Sequence, residues 1–242
     1  MNFKIHRGTQ EIGGSCVELW NDQTRILIDF GMPLVEKDGS EFNYNKYKDL
    51  TTEKLIEKGI LHDIEGIYKT DNEIIDGIIL SHAHKDHYGL INHLDPDIPI
   101  YLSNPTADII KINNIFTNSS VKIRNSTNFE QEKEFIIGDI KITPYWMDHS
   151  AFDSYAFHIK SNGNSIFYSG DFRGHGRKRK MFRWFTHNAP KDVEYLLLEG
   201  TTVGRNKNKK FKTETDVQNE FKNLFSEKDN INLIYTSGQN ID

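Results

Sequence analysis

Gly77-Ile78-Ile79-Leu80-Ser81-His82-Ala83-His84-Lys85-Asp86-His87 is the stretch on which both fold and chemistry turn. Its apolar opening reads as a short buried strand, and three imidazoles and a carboxylate follow within six residues. Residues two apart in an extended segment point to the same side, so His82 and His84 can hold one ion together. If a helix begins near Asp86, then Asp86 and His87 project from its first turn and reach a second ion. Imidazole and carboxylate donors without thiolate suit Zn²⁺ or Mn²⁺. A polar loop of incidental histidines is the plain alternative, but four ligand-type residues at these spacings are too specific for it.

The surroundings are those of an ordinary globular chain. Of 242 residues, 36% are hydrophobic and 27% charged, with a net charge of -5 and a mean hydropathy of -0.62. That length suits one large domain, or one domain and part of another. Residues 1–8 carry no apolar run after their basic residues, and no stretch is long enough for a membrane span, so a cytoplasmic protein is expected. The single cysteine, Cys16, adjoins an apolar run and reads as a buried thiol, in keeping with a reducing compartment. Positive charge bunches at 173–180 and 205–212, which segregates basic from acidic surface; a solvated loop is the plain reading of each run alone.

Short β-branched runs predict strands at 2–6, 16–20, 25–29, 77–80, 98–102, 134–137, 140–145, 155–159, 165–168, 194–198 and 231–236. Helical patterns fall at 52–58, 86–94, 105–113 and 213–225, the last opening on a cap at Thr213. Several strands follow one another across turn-length gaps between Glu134 and Tyr168, which excludes regular βαβ alternation and favours a mixed-sheet sandwich with outer helices. Residues 38–72 read as a polar surface excursion containing one helix. His6, His62, His93, His158 and His187 lie outside any pattern and read as surface or packing residues; His175, in the basic run near Asp171, could contact phosphate.

The sequence resembles the metallo-β-lactamase superfamily, whose His-x-His-x-Asp-His signature is matched by His82, His84, Asp86 and His87. Asp29, in Ile26-Leu27-Ile28-Asp29, is similar to the aspartate that supports the metal loop from behind. His149 in Met147-Asp148-His149-Ser150 and Asp171 in Tyr168-Ser169-Gly170-Asp171 are similar to the later ligands. The resemblance implies an α/β fold, an αββα sandwich of two mixed β-sheets flanked by helices. It implies one metal on His82, His84 and His149, a second on Asp86 and His87, and Asp171 shared. Asp86, His87 and Asp171 would then serve catalysis through a two-metal-activated hydroxide. Two divalent ions are expected, zinc first and manganese as the alternative.

Gly13-Gly14-Ser15-Cys16, Tyr168-Ser169-Gly170-Asp171-Phe172 and Leu198-Glu199-Gly200-Thr201 resemble the β-CASP branch, which includes RNase J and the pre-mRNA 3′-end cleavage endonuclease. Glu199 stands where that branch has an acid before its insertion, although Gly200 separates it from the hydroxyl residue. The resemblance implies a hydrolase domain over 1–204 and the start of an insertion over 205–242. Because 240–242 precedes the residues that complete the second metal in that branch, a chain cut short within the insertion is expected, with unequal metal sites.

The implied function is phosphodiester hydrolysis on single-stranded nucleic acid, RNA favoured over DNA, without membrane association and with homo-oligomerisation left open. His175, Arg177, Lys178 and Glu199 are the candidate substrate contacts. A cytoplasmic thioester or small phosphoester hydrolase is the alternative. A non-catalytic scaffold binding nucleic acid or protein is a third reading, disfavoured by the intact ligand set.

Overall fold

Alternating apolar residues build two mixed sheets that pack against each other through one face of each. The computed structural model describes residues 1–69, 75–117, 119–204, 212–226 and 231–240. The first sheet holds β1 (Asn2–Arg7), β2 (Cys16–Trp20), β3 (Arg25–Ile28), β4 (Gly77–Ile79), β5 (Ile100–Leu102) and β6 (Ser126–Asn128) in sequential order. β1 to β3 are antiparallel, and β3 to β6 run parallel. The second contains β7 (Phe135–Ile137), β8 (Ile140–Met147), β9 (Ser154–Ser161), β10 (Asn164–Tyr168) and β11 (Tyr195–Leu197). β7 to β10 form an antiparallel meander, to which β11 adds in parallel.

The period-two alternation of strands divides the apolar residues among three layers. Ile26, Ile28 and Ile79 face Tyr155, Phe157, Ile166 and Tyr168 across the space between the sheets. Leu27 and Ile78, one residue out of phase, face outward to α1 (Thr52–Glu57), α2 (Lys85–Tyr88) and α3 (Asn104–Thr117). On the far side, Ala156 and Phe167 face Phe185 of α4 (Arg179–Asn188). The four layers are helix, sheet, sheet and helix, as expected from the sequence.

Several local expectations give way. Residues 38–72 are only partly a surface excursion: Leu55, Leu61 and Ile67 are fully buried or nearly so beneath the first sheet. Their spacing is irregular because α1 delivers Leu55 while the turns after it deliver Leu61 and Ile67; residues 70–72 lie outside the described residues. The helix expected at 86–94 stops at Tyr88, and a single 3-10 turn, Ile91–His93, follows. Its carbonyls are taken from outside: Ser15 donates to Asp86, Phe30 to His87 and Met32 to Lys85, at 2.8–3.0 Å. The basic run at 173–180 leads directly into α4, whose charges obscure an apolar side. Residues 231–236, expected as a strand, have no regular structure, and Ile231, Leu233 and Tyr235 are exposed. No sheet edge among the described residues supplies the hydrogen bonds a strand needs there. The second basic run lies outside the described residues except for Lys212, which pairs with Glu220 at 2.7 Å. The expected helix at 213–225 is α5 (Glu214–Phe225), with Thr213 and Asp216 forming a capping box.

Phe157 is fully buried between the sheets, edge-on to Phe129 at 5.6 Å and stacked with Tyr168 at 6.5 Å. Phe157→Ala should lower the unfolding free energy by about 3–5 kcal/mol. Urea unfolding checks this, and a loss below about 1 kcal/mol, the scale of a surface change, would mean that the layer between the sheets is not the stabilising core.

Candidate metal centre

The site lies at the carboxyl ends of four strands. Asp29 follows β3, Ser81 to His87 follow β4, His149 follows β8, and Asp171 follows β10. His84 has extended backbone angles and stands just before α2, so His82 and His84 face one side while Asp86 and His87 emerge from the first helical turn. Gly31 lets the neighbouring loop pass against that turn, because a Cβ there would lie 1.7 Å from the Asp86 carbonyl oxygen.

Nitrogens of His82, His84 and His149 all lie within 4.8 Å of one another. His84 Nδ1 is 3.1 Å from both His82 Nε2 and His149 Nε2. A second cluster of the same span joins His82, His87 and Asp171. Asp171 Oδ2 lies 3.5 Å from His87 Nε2 and 3.6 Å from His149 Nε2, between the clusters. Asp86 Oδ2 is 3.8 Å from His87 Nε2. Asp86 therefore stands at the rim of the second cluster, with His87 and Asp171 at its centre. Three nitrogen donors around one point, and nitrogen with carboxylate around the other, fit divalent transition-metal ions.

Behind the ligands, Asp29 accepts four hydrogen bonds, from Ser81 N, Ser81 Oγ, His87 Nδ1 and Tyr168 Oη, each at 2.8 Å. Because His87 gives its Nδ1 hydrogen to Asp29, its Nε2 is turned toward Asp86 and Asp171. Ser81 Oγ spends its hydrogen on Asp29 and stands 3.0 Å from His82 Nδ1, so it accepts there and leaves His82 Nε2 free to ligate. The sequence reading includes Asp29 but overlooks the roles of Ser81 and Tyr168. Tyr168 sits three residues before Asp171 on the inner face of its strand, a placement that only the layer order makes meaningful.

Burial sets the protonation of the two clusters apart. It lowers His82 well below the usual histidine range, with His87, His149 and His84 adding repulsion. It lowers His84 too, and takes His149 to about 3 against the pull of Asp171. These three imidazoles are neutral at pH 7, as ligands must be. Burial also opposes a charge on His87, but Asp29 and Asp171 outweigh it and raise that histidine well above its ordinary value. Burial pushes Asp171 upward, and His87 overrides it to hold the carboxyl at about 2.

An open groove of about 620 Å³ reaches the second cluster, lined by Asp86, His87, Asp171, Glu199 and the loop from Arg7 to Ser15. Among the candidate substrate contacts, Glu199 lines this groove, with its carboxylate accepting from Thr201 N at 3.1 Å across the intervening Gly200. His175 and Arg177 do not line it: both are exposed, and their backbones bond to Glu214 of α5. Lys178 corrects the sequence reading, since its ammonium is shielded from solvent and lies 4.8 Å from the Phe152 ring centre and 5.5 Å from that of Trp146. Aromatic faces compete with water for the cation and draw the stem inward.

The family model described as Beta-lactamase superfamily domain matches residues 65–208, more than half of the chain. The chain belongs to the metallo-β-lactamase superfamily. Its resemblance to an RNase J-like protein of Methanocaldococcus jannaschii is 28% identity over 82% of this chain and 42% of that protein. To ribonuclease J of Helicobacter pylori it is 28% identical, over 97% of this chain and 32% of the relative. The chain thus spans under half the length of either relative. A crystal structure of an Enterococcus faecalis protein of unknown function superposes with a TM-score of 0.79 at 24% identity, over 93% of this chain and 57% of the other, and shows the fold alone. No helix among the described residues is long and apolar enough to cross a membrane.

Metal at His87 Nε2 must displace the proton that Asp29 and Asp171 stabilise, whereas the three-imidazole cluster is already deprotonated. Affinity at the His87 cluster should therefore rise with pH and fall first on acidification, and its loading should release a proton. Calorimetry in buffers of different ionisation heat reads both, and binding at both clusters without proton release would contradict the assignment.

Proposed function

We propose that the chain forms the metal-binding part of a phosphodiesterase acting on single-stranded nucleic acid, RNA ahead of DNA, in the cytoplasm. The observation that carries this reading is the pair of ligand clusters joined at Asp171 Oδ2, at the end of a groove open to a long substrate. Similarity to an RNase J-like protein and to ribonuclease J supports RNA as the substrate. In this reading His82, His84 and His149 hold one divalent ion, Asp86 and His87 hold a second, and Asp171 serves both; zinc is the favoured ion and manganese the alternative. When bound, such ions activate water and stabilise charge on the attacked and leaving oxygens.

The chain's own residues do the rest. Asp29 fixes His87, and Ser81 fixes His82, so the donors are set before any ion arrives. Asp86, Asp171 and Glu199 make the groove acidic, so a phosphodiester can enter only once bound cations offset that charge. Exposed Arg177 and Lys180, with half-buried Arg179, border the loop leading into α4 and can meet phosphates farther along a strand. We place the hydrolase domain at 1–204 and the beginning of a second, β-CASP-like segment at 205–242. α5 supports that boundary, because none of its residues is buried in the core.

The protein should cleave single-stranded RNA in preference to bis-p-nitrophenyl phosphate or a thioester. His84→Ala should cost more than the roughly 10–100-fold typical of groups behind the ligands. Replacing Arg177, Arg179 and Lys180 by Gln should flatten the salt dependence of RNA binding by about 0.7 for each phosphate that is no longer neutralised. Thioester turnover without RNA cleavage would favour the small-molecule reading, and stoichiometric metal without turnover on any substrate would favour a scaffold.

A further inference from the structure

Gln239 lies far from the ligands in sequence yet touches both loops that carry the three-imidazole cluster. Its Nε2 donates to the Ala83 carbonyl at 2.5 Å, on the peptide between His82 and His84. Its own carbonyl accepts from Phe152 N at 3.1 Å, three residues beyond His149. The following residue is fastened too: Arg173 donates to Asn240 Oδ1 at 3.3 Å. That same guanidinium pairs with Asp148, beside His149, at 2.9 Å and with Glu214 at 2.6 Å. One carboxamide and one peptide carbonyl therefore bridge the His82–His84 turn to the His149 loop, and a buried ion pair sets where they stand.

We propose that Gln239 is a positioning residue for the three-imidazole cluster, holding its two loops at the separation that lets three nitrogens share one ion. This rests on the metal-binding reading above. The contact does more than fix a loose segment: upstream, Ile231, Leu233 and Tyr235 are exposed and add nothing to the core, so the segment's ordered attachment is concentrated at the ligand loops. Ala83 is fully buried, which leaves its carbonyl without water as a substitute partner if the amide is removed. Removing that bond frees the peptide that orients His82 relative to His84, and a ligand displaced by a fraction of an ångström binds more weakly.

The test compares the unchanged chain with Gln239→Met, which keeps the length without the donor, and Gln239→Ala. Tyr235→Ala, at an exposed position on the same segment, is the control. Zinc affinity is measured by competition with a chromophoric chelator, ligand geometry by the visible spectrum of the Co²⁺-loaded protein, and fold stability by melting of the metal-free protein. Both Gln239 variants should bind the tighter ion about 10–100-fold more weakly. They should also alter the Co²⁺ bands and lower the metal-free melting temperature by a few degrees at most, the scale of one lost buried hydrogen bond, while Tyr235→Ala matches the parent throughout. Unchanged affinity and spectrum in the Gln239 variants would overturn the proposal, as would a metal-free destabilisation well beyond that of one lost hydrogen bond, which would make the role purely structural. If the unchanged chain binds no metal, the metal-binding reading itself fails and the proposal with it.

Discussion

The carboxylate of Asp29 is the interaction from which the site is hung. It is fully buried, and burying a bare carboxylate would be strongly unfavourable. Four donors satisfy it: two from Ser81, one from His87 and one from Tyr168. Those donors come from both sheets, since Tyr168 ends β10 while Ser81 and His87 follow β4. The same bonds that stabilise the anion therefore register one sheet against the other and aim His82 and His87. Asp29 adopts a positive φ of 61°, a conformation that aspartate tolerates better than most residues and that places its side chain beneath the metal loop. Loss of any donor would leave a buried charge less satisfied, and loss of the Ser81 hydroxyl or of the His87 bond would also free a ligand's orientation.

Charge is distributed so that each part of the site depends on another. The three-imidazole cluster is made neutral by burial and mutual repulsion. The His87 cluster is held by a protonated imidazole lying between the Asp29 and Asp171 carboxylates. The groove is acidic around the second cluster, and the exposed basic residues lie toward α4. Under the function proposed above, an anionic strand would be drawn from one side and admitted only where cations had replaced protons.

What the sequence made legible follows from how local the cause is. His82, His84, Asp86 and His87 could be read because ligand-type side chains at the end of an apolar strand have few other uses, and the backbone period alone separates them into pairs. The two-sheet sandwich was legible in the strand density from Glu134 to Tyr168. Gln239 was not, because its partner lies 156 residues away. β6 was missed because Ser126, Thr127 and Asn128 are exposed and polar, held only by pairing at a sheet edge. Residues 231–236 erred the other way: their apolar content suggests a strand, but propensity cannot supply a neighbour. Lys178 was assigned to substrate on charge alone, while Trp146 and Phe152 draw it inward.

The central claim is that these side chains form two adjoining metal sites, and anomalous diffraction at the zinc edge from zinc-loaded crystals tests it most directly. The account predicts one peak bounded by His82 Nε2, His84 Nδ1 and His149 Nε2, with nitrogen distances of about 2.0–2.1 Å. It predicts a second between His87 Nε2 and the carboxylates of Asp86 and Asp171. No peak at the ends of β4, β8 and β10, or zinc bound only elsewhere on the protein, would contradict it.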